Sequence, residues 1–113
     1  MFCTERFHLK NSTIENIRRI RPSFGFGIFG EVVYYRTYGR ITKHGNQENW
    51  HDTVIRVIEG VLSIRKDWYK KHGLKWNERH WQDYSEGMAE YMTQMKWLPP
   101  GRGLWAMGSD YVY

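Results

Sequence analysis

A short loop near the end of the chain combines residue types that suit a phosphate group. Residues 99–103 read Pro-Pro-Gly-Arg-Gly. Gly101 leaves its backbone amide open to a close approach, and the guanidinium of Arg102 is a cation with several donors. Pro100 has no backbone N–H, which removes one donor from the loop. A structural ion pair would also explain this arginine, so the sequence leaves both interpretations of Arg102 open.

A glycine-rich stretch at residues 25–30 matches G-x-G-x-x-G, and Val32 extends the match to the glycine loop of protein kinases. In nucleotide-binding proteins the amides of such a loop contact phosphates. A dinucleotide-binding loop follows a strand and precedes a helix, whereas here a predicted helix comes before and an extended segment after. The H-R-D and D-F-G motifs of kinases are absent from the sequence. We therefore interpret this stretch as an aromatic–glycine connector.

Histidine and cysteine form no pattern for metal binding or nucleophilic catalysis. No two histidines have H-x-x-x-H spacing, and the single cysteine, Cys3, cannot complete a set of thiolate ligands. One cysteine excludes an internal disulfide and fits a reducing cytoplasm. The sequence therefore predicts surface histidines and no self-sufficient active site. The histidines are His8, His44, His51, His72 and His80.

Three helices are predicted to position these residues, and the first is short. Ser12 or Thr13 is expected to cap it, with Glu15 in its first turn and isoleucines on its apolar face. Pro22 is expected to end it, because the residue before a proline avoids helical backbone angles. Residues 31–38 are rich in β-branched and aromatic side chains and predict an extended or β segment. The isoleucines are Ile14, Ile17 and Ile20.

Two longer helices are predicted to begin after asparagine caps. Asn49 precedes a helix with Asp52 in its first turn and a broad apolar stripe, which is expected to end before Gly73. Asn77 precedes a helix whose aromatic and methionine side chains recur at helical spacing and predict a core or docking face. The stripe of the first comprises Val54, Ile55, Val57, Ile58, Val61 and Leu62. The face of the second comprises Trp81, Tyr84, Met88, Tyr91, Met92 and Met95.

The composition leaves a second class of function open. The chain of 113 residues has 17 Lys and Arg against 12 Asp and Glu, a net charge of +5, with six Trp and eight Tyr. Cations attract phosphates and aromatic rings stack on bases, so a free-standing basic nucleic-acid-binding module is the alternative function. The basic residues form no single block, however, and such a charge also serves solubility. The mean hydropathy of −0.72 and the lack of a long apolar run exclude a transmembrane helix.

Three irregular blocks resemble, in order and approximate spacing, the amino-terminal region of adenosylcobalamin-dependent (class II) ribonucleoside-triphosphate reductases. They are YRTYGR at residues 35–40, ENWHDTVIRVIEG at 48–60 and PPGRGLWAMGSDYVY at 99–113. The last block is similar to the family's segment P-S-G-R-x-L-W-x-x-G-T-D-Y-x-Y. Pro100 stands where relatives have a small hydroxyl residue, and Ser109 keeps the hydroxyl that relatives supply as threonine.

This resemblance implies a fold and its boundaries. The expected fold class is mainly α with a short extended or β segment, as the helical leader of a ten-stranded α/β barrel reductase. Residues 1–98 are expected to form the leader, and residues 99–113 a loop and the incomplete start of the barrel. In such enzymes the first reducing cysteine comes shortly after the segment that ends here at Tyr113. The chain is therefore expected to be a truncated or split part of the enzyme and to be inactive by itself.

The resemblance also implies a function. Such reductases convert ribonucleoside triphosphates to 2′-deoxyribonucleotides for DNA synthesis, by thiyl-radical chemistry that adenosylcobalamin initiates. The cofactor and the catalytic cysteines are expected in the rest of the enzyme. The expected partners are that remainder, a ribonucleoside triphosphate and a thioredoxin-like reductant in the cytoplasm, without a membrane. This segment is expected to hold no catalytic residue or metal, and its predicted substrate-binding residues are Pro100, Gly101, Arg102 and Ser109.

Overall fold

The computed structural model describes residues 5–20, 48–94, 96–99, 104 and 106–109. In these ranges the regular elements are helices without strands: α1 spans Asn11–Arg19, α2 spans Trp50–Lys71 and α3 spans Glu78–Thr93. This agrees with the mainly α class. The predicted extended segment at residues 31–38 and the glycine-rich stretch at 25–30 lie outside the described ranges. None of the described helices is both long and apolar enough to cross a membrane.

Helix α1 begins earlier than the sequence predicts and has no side-chain cap. Lys10 is its N-cap residue, and the carbonyl oxygen of Lys10 accepts a hydrogen bond from the N–H of Thr13 at 3.0 Å. Thr13 is thus already inside the helix, where its side chain is fully buried. The predictions that Ser12 or Thr13 caps this helix and that Glu15 lies in its first turn are therefore wrong. The helix ends at Arg19, before the proline, as predicted.

Helix α2 begins at a capping box and ends at a glycine. Asn49 Oδ1 accepts a hydrogen bond from the N–H of Asp52 at 2.9 Å, and Asp52 Oδ2 accepts one from the N–H of Asn49 at 3.1 Å. At the other end His72 is the C-cap residue and Gly73 has a φ of +66°, which favours glycine. Both predicted ends are confirmed. The predicted apolar stripe is buried at Val54, Val57, Ile58 and Leu62 and partly buried at Ile55 and Val61.

Helix α3 begins at the predicted cap and buries only part of the predicted face: Trp81 and Met92 are buried and Met88 is partly buried. Asn77 Oδ1 accepts a hydrogen bond from the N–H of His80 at 3.1 Å. Tyr84 and Tyr91, which the pattern assigns to the buried face, are 52% and 55% exposed. Small residues take their place, because they let a helix approach its neighbours closely. The buried residues are Trp81, Ser85, Ala89, Met92 and Thr93; Met95 lies outside the described residues.

Helices α2 and α3 pack as an antiparallel pair. The indole of Trp50, at the start of α2, donates its Nε1–H to the carbonyl oxygen of Thr93, at the end of α3, at 3.2 Å. At the opposite ends of the helices, the rings of Tyr69 and Trp81 meet edge to face with centroids 6.1 Å apart. Trp76, in the connection between the helices, stacks on Trp81 at 5.0 Å. Side-chain contacts therefore join α2 to α3 at both ends of the pair.

The N-terminal segment, residues 5–9, runs antiparallel along α2. Alternate backbone N–H groups of this segment donate to polar side chains four residues apart on the helix. The three pairs, with the donor first, are Glu5 to Asp67 (3.3 Å), Phe7 to Ser63 (2.7 Å) and Leu9 to Glu59 (2.8 Å). Two residues of extended chain rise roughly 6.6 Å and four residues of helix rise about 6.0 Å, so the two repeats stay in register. The helix thus supplies the acceptors that a neighbouring strand would otherwise provide.

Candidate functional site

The structure describes one of the four predicted substrate-binding residues. Pro100, Gly101 and Arg102 lie outside the described residues. The hydroxyl and the backbone N–H of Ser109 both donate to the carbonyl oxygen of Ala106, the N–H at 3.0 Å. The Ser109 hydroxyl oxygen retains its capacity to accept a hydrogen bond. Ser109 therefore closes the turn of residues 106–109, and its role in substrate binding stays a prediction.

Two described segments flank residues 100–103 in the sequence, and they contact different helices. Before the loop, the indole of Trp97 donates its Nε1–H to the carbonyl oxygen of Met88 on α3 at 3.1 Å. After the loop, Leu104 is buried and its carbonyl oxygen accepts a hydrogen bond from Arg56 Nη2 on α2 at 2.5 Å. Because so few residues separate these contacts, the helix pair determines where both ends of the loop lie.

Arg56 joins the segment after the loop to α2. Its Nη1 donates to the carbonyl oxygen of Met107 at 2.7 Å, and its Nη2 donates to that of Leu104. The same guanidinium binds Glu48 in a bidentate pair, with Nη2 2.7 Å from Oε1 and Nε 3.2 Å from Oε2. The Arg56 and Glu48 side chains are only 13% and 7% exposed. Thr53 Oγ1 also donates to Glu48, at 2.7 Å, so the buried carboxylate is fully engaged.

Two glycines allow the turn of residues 106–109 to lie directly against α2. A Cβ atom added at Gly60 would lie 2.5 Å from the backbone nitrogen of Gly108, closer than non-bonded atoms approach. A Cβ atom added at Gly108 would overlap the carbonyl oxygen of Arg56. Gly108 also has a φ of +79°, which L side chains rarely adopt. Backbone contact and the bonds of Arg56 thus fix the same turn.

A cavity of about 290 Å³ lies between this turn and the N-terminal segment. Arg6, His8, Arg56 and Glu59 contribute polar groups to its wall. Burial raises the pKa of Glu59, against the opposing effects of the Leu9 N–H bond and the charge of His8. The carboxylate therefore ionises less readily than an exposed one.

The cavity beside the 106–109 turn does not fit a cobalamin. The cavity is at the lower limit for small-ligand pockets, which measure roughly 300–1,000 Å³, and a corrin ring with its nucleotide needs more room. Among these residues no group of three or more His, Cys, Asp or Glu side chains could hold a metal ion. His72 stacks on Trp68 with centroids 4.2 Å apart, and His51 Nε2 lies 2.7 Å from the carbonyl oxygen of Ile20.

Several basic residues of the described ranges form separate ion pairs with carboxylates, and others lie over aromatic rings, as Arg65 does over Trp81 and Lys96 over Tyr91. These pairs are Arg18–Asp52 (2.9 Å), Lys66–Glu78 (3.7 Å), Lys70–Glu5 (2.5 Å) and Lys71–Asp67 (2.7 Å). A nucleic-acid groove needs cations that align along a backbone path. The arrangement of these basic side chains does not support the alternative of a nucleic-acid-binding module.

The sequence interpretation missed Arg56 and Glu48 as residues of this site. One signal was available, since Arg56 interrupts the apolar stripe of α2, and a charge among buried side chains needs a partner. The identity of the partners was not readable, because the carbonyl groups of Leu104 and Met107 lie 48 and 51 residues away.

Comparison with known proteins identifies the same region of one enzyme family. A family model described as the ribonucleotide reductase alpha domain matches residues 9–109. A probable adenosylcobalamin-dependent ribonucleoside-triphosphate reductase of Dictyostelium discoideum is 41% identical over 106 residues, which cover 94% of this chain and 14% of the relative. The adenosylcobalamin-dependent ribonucleoside-triphosphate reductase of Euglena gracilis is 44% identical over 106 residues, with 93% and 14% covered.

A solved structure agrees with these relatives. The crystal structure of a B-12 dependent (class II) ribonucleotide reductase superposes with a TM-score of 0.77 at 27% identity, over 93% of this chain and 14% of that chain. The chain therefore spans about one seventh of the length of the proteins that it matches.

Proposed function

The chain belongs to the family of the ribonucleotide reductase alpha domain, and we propose that it serves as the helical N-terminal part of an adenosylcobalamin-dependent ribonucleoside-triphosphate reductase. The complete enzyme reduces ribonucleoside triphosphates to 2′-deoxyribonucleotides for DNA synthesis. The observation that carries this proposal is the superposition of 93% of the chain on a class II reductase with a TM-score of 0.77. Two relatives above 40% identity bear names of the same activity.

Within that enzyme, this segment supports one side of the substrate site. Residues 100–103 would contact the substrate phosphates through the Gly101 amide and the Arg102 guanidinium, which forms bidentate hydrogen bonds with phosphate oxygens. The hydroxyl of Ser109, whose hydrogen is donated to Ala106, would accept a hydrogen bond from a hydroxyl group of the substrate rather than contact a phosphate. The anchoring of Trp97 on α3 and Leu104 on α2 supports this proposal, because binding groups need fixed ends.

The remaining components of the reaction belong to the rest of the reductase. Adenosylcobalamin and the catalytic cysteines would be held there, since the cavity beside the 106–109 turn is too small for the cofactor and Cys3 is the one cysteine of the sequence. The partners would be that remainder, as the same chain or a separate subunit, and a thioredoxin-like reductant. A cytoplasmic location is proposed because the chain has one cysteine, Cys3, which fits a reducing compartment.

A chimeric enzyme tests the proposal. This chain would replace the matching region of the Euglena gracilis reductase, and deoxyribonucleotide formation would be measured with a ribonucleoside triphosphate, adenosylcobalamin and a dithiol. We expect turnover, because the two sequences are 44% identical over 93% of this chain. A folded chimera without turnover would contradict the proposal.

The phosphate contact is tested in the same chimera. Arg102→Ala is expected to raise the KM for the ribonucleoside triphosphate by roughly tenfold or more, because a charge-assisted pair is lost. Arg79→Ala, an exposed arginine on α3, is the control and should leave KM unchanged. Equal KM values for the two variants would assign Arg102 to a structural ion pair instead.

A further inference from the structure

We propose that Arg56 is a positioning residue for substrate binding, acting through the turn of residues 106–109 that contains Ser109. This inference rests on the proposed function and names the residue that holds this turn in place. Arg56 does not contact the substrate in this account. It fixes the carbonyl groups of Leu104 and Met107, and through them the turn that contains Ser109.

The bonding pattern of the guanidinium supports this role. Nη1 donates to Met107, Nη2 to Leu104, and Nε with Nη2 to Glu48, so one rigid plane joins two backbone carbonyls to one carboxylate. A lysine carries the same charge but presents a single nitrogen on a flexible stem. It can keep the ion pair with Glu48 while it loses the fixed geometry between the two carbonyls. Arg56→Lys therefore separates the positive charge of this side chain from its effect on the position of the two carbonyl groups.

Glu48 and Thr53 hold the guanidinium itself. Glu48 accepts hydrogen bonds from both Arg56 and Thr53, and Thr53 is fully buried in the first turn of α2. The guanidinium thus keeps one orientation without help from the loop. This pre-organisation is the property that a positioning group requires, because the loop meets donors that are already in place.

The contact between Gly60 and Gly108 provides a second, independent route to the same displacement. An alanine at Gly60 places its Cβ 2.5 Å from the Gly108 nitrogen, so the turn of residues 106–109 has to move away from α2. The ion pair between Arg56 and Glu48 is not altered by that change. If the position of the turn determines substrate binding, Arg56→Lys and Gly60→Ala should both raise the KM for the substrate.

The first measurement uses the 113-residue chain and needs no catalysis. Hydrogen exchange of the Ser109 amide, which donates to Ala106, reports how firmly the turn is held. Arg56→Lys and Gly60→Ala are expected to speed this exchange by roughly tenfold. Two controls should not: Arg18→Ala removes an exposed ion pair with α2, and Gly87→Ala adds a methyl group to a helix where nothing lies within 4 Å.

The second measurement uses the chimeric reductase defined above. Arg56→Lys and Gly60→Ala are expected to raise the KM for the ribonucleoside triphosphate by about fivefold or more and to change kcat by less than about twofold. A merely structural role would lower the amount of active enzyme and hence the apparent kcat, without a selective rise in KM. The controls Arg18→Ala and Gly87→Ala should match the unsubstituted chimera.

The outcomes separate this inference from the function on which it rests. An inactive but folded chimera contradicts the proposed function, whatever the exchange of Ser109. An active chimera in which both Arg56→Lys and Gly60→Ala keep the original KM overturns the positioning role and leaves the proposed function intact. Faster Ser109 exchange together with a selective rise in KM supports both.

Discussion

The carboxylate of Glu59 accepts a hydrogen bond from the backbone N–H of Leu9 at 2.8 Å while lying in a largely buried position between the N-terminal segment and the 106–109 turn. Burial disfavours its charged form and raises its pKa above the ordinary value of 4.5, although the Leu9 bond and His8 act in the opposite direction. One carboxylate therefore joins the N-terminal segment to α2 and makes that junction sensitive to pH.

The stability of the chain is expected to depend on pH through Glu59. A raised folded-state pKa means that the folded chain binds more protons than the unfolded chain in the pH window above 4.5. The contribution of Glu59 to stability is therefore fully present below that value and is lost as pH rises through the folded-state pKa. Glu59→Gln does not ionise and keeps an oxygen that accepts the Leu9 bond. Its stability relative to the unsubstituted chain should rise between about pH 4 and about pH 7.

Urea unfolding followed by tryptophan fluorescence at both pH values measures this difference. The same comparison in a His8→Gln background removes the neighbouring imidazole, which lies 3.8 Å from the carboxylate. A relative stability of Glu59→Gln that stays constant or falls with pH would disagree with the account.

The register between the N-terminal segment and α2 predicts a cost for Ser63→Ala. Ser63 Oγ accepts the buried N–H of Phe7 at 2.7 Å, and an unsatisfied buried donor costs about 1–3 kcal/mol. Ser85→Ala is the matched control, because Ser85 is also buried but its hydroxyl donates to Gln82 within α3. We expect Ser63→Ala to lower the unfolding free energy more and to speed exchange of the Phe7 amide. Equal effects of the two changes would argue against the register.

The buried pair of Glu48 and Arg56 predicts a larger cost. Glu48→Ala leaves the guanidinium buried without its carboxylate, and breaking such a pair costs about 3–5 kcal/mol. Arg18→Ala breaks the exposed pair with Asp52, for which about 0–1 kcal/mol is expected. Urea unfolding of the three chains gives both values. Similar losses for the two variants would mean that the Glu48–Arg56 pair is solvated in solution.

The sequence was informative where structure depends on near neighbours. Asn49 is the predicted N-cap with Asp52 in the first turn, and Gly73 follows the end of α2, because caps act over three or four residues. The start of α1 was misplaced for a non-local reason. Thr13 has a residue type that favours caps, but the core buries it inside the helix.

The candidate site was less accessible to sequence reasoning. The loop and Ser109 were selected by residue type and resemblance, whereas the role of Arg56 depends on carbonyl groups some 50 residues away. The buried face of α3 shows the same limit. A pattern of large side chains indicated Tyr84, but a close contact between helices selects the small Ser85 and Ala89.

We propose that this chain is the N-terminal part of a cobalamin-dependent reductase whose catalytic cysteines lie elsewhere. The most direct test compares deoxyribonucleoside triphosphate formation by the 113-residue chain alone with that by the chimera carrying this chain in the Euglena gracilis reductase, each with and without adenosylcobalamin. The account predicts product from the chimera with adenosylcobalamin and none from the other three reactions. Product from the isolated chain, or none from the folded chimera with its cofactor, would contradict it.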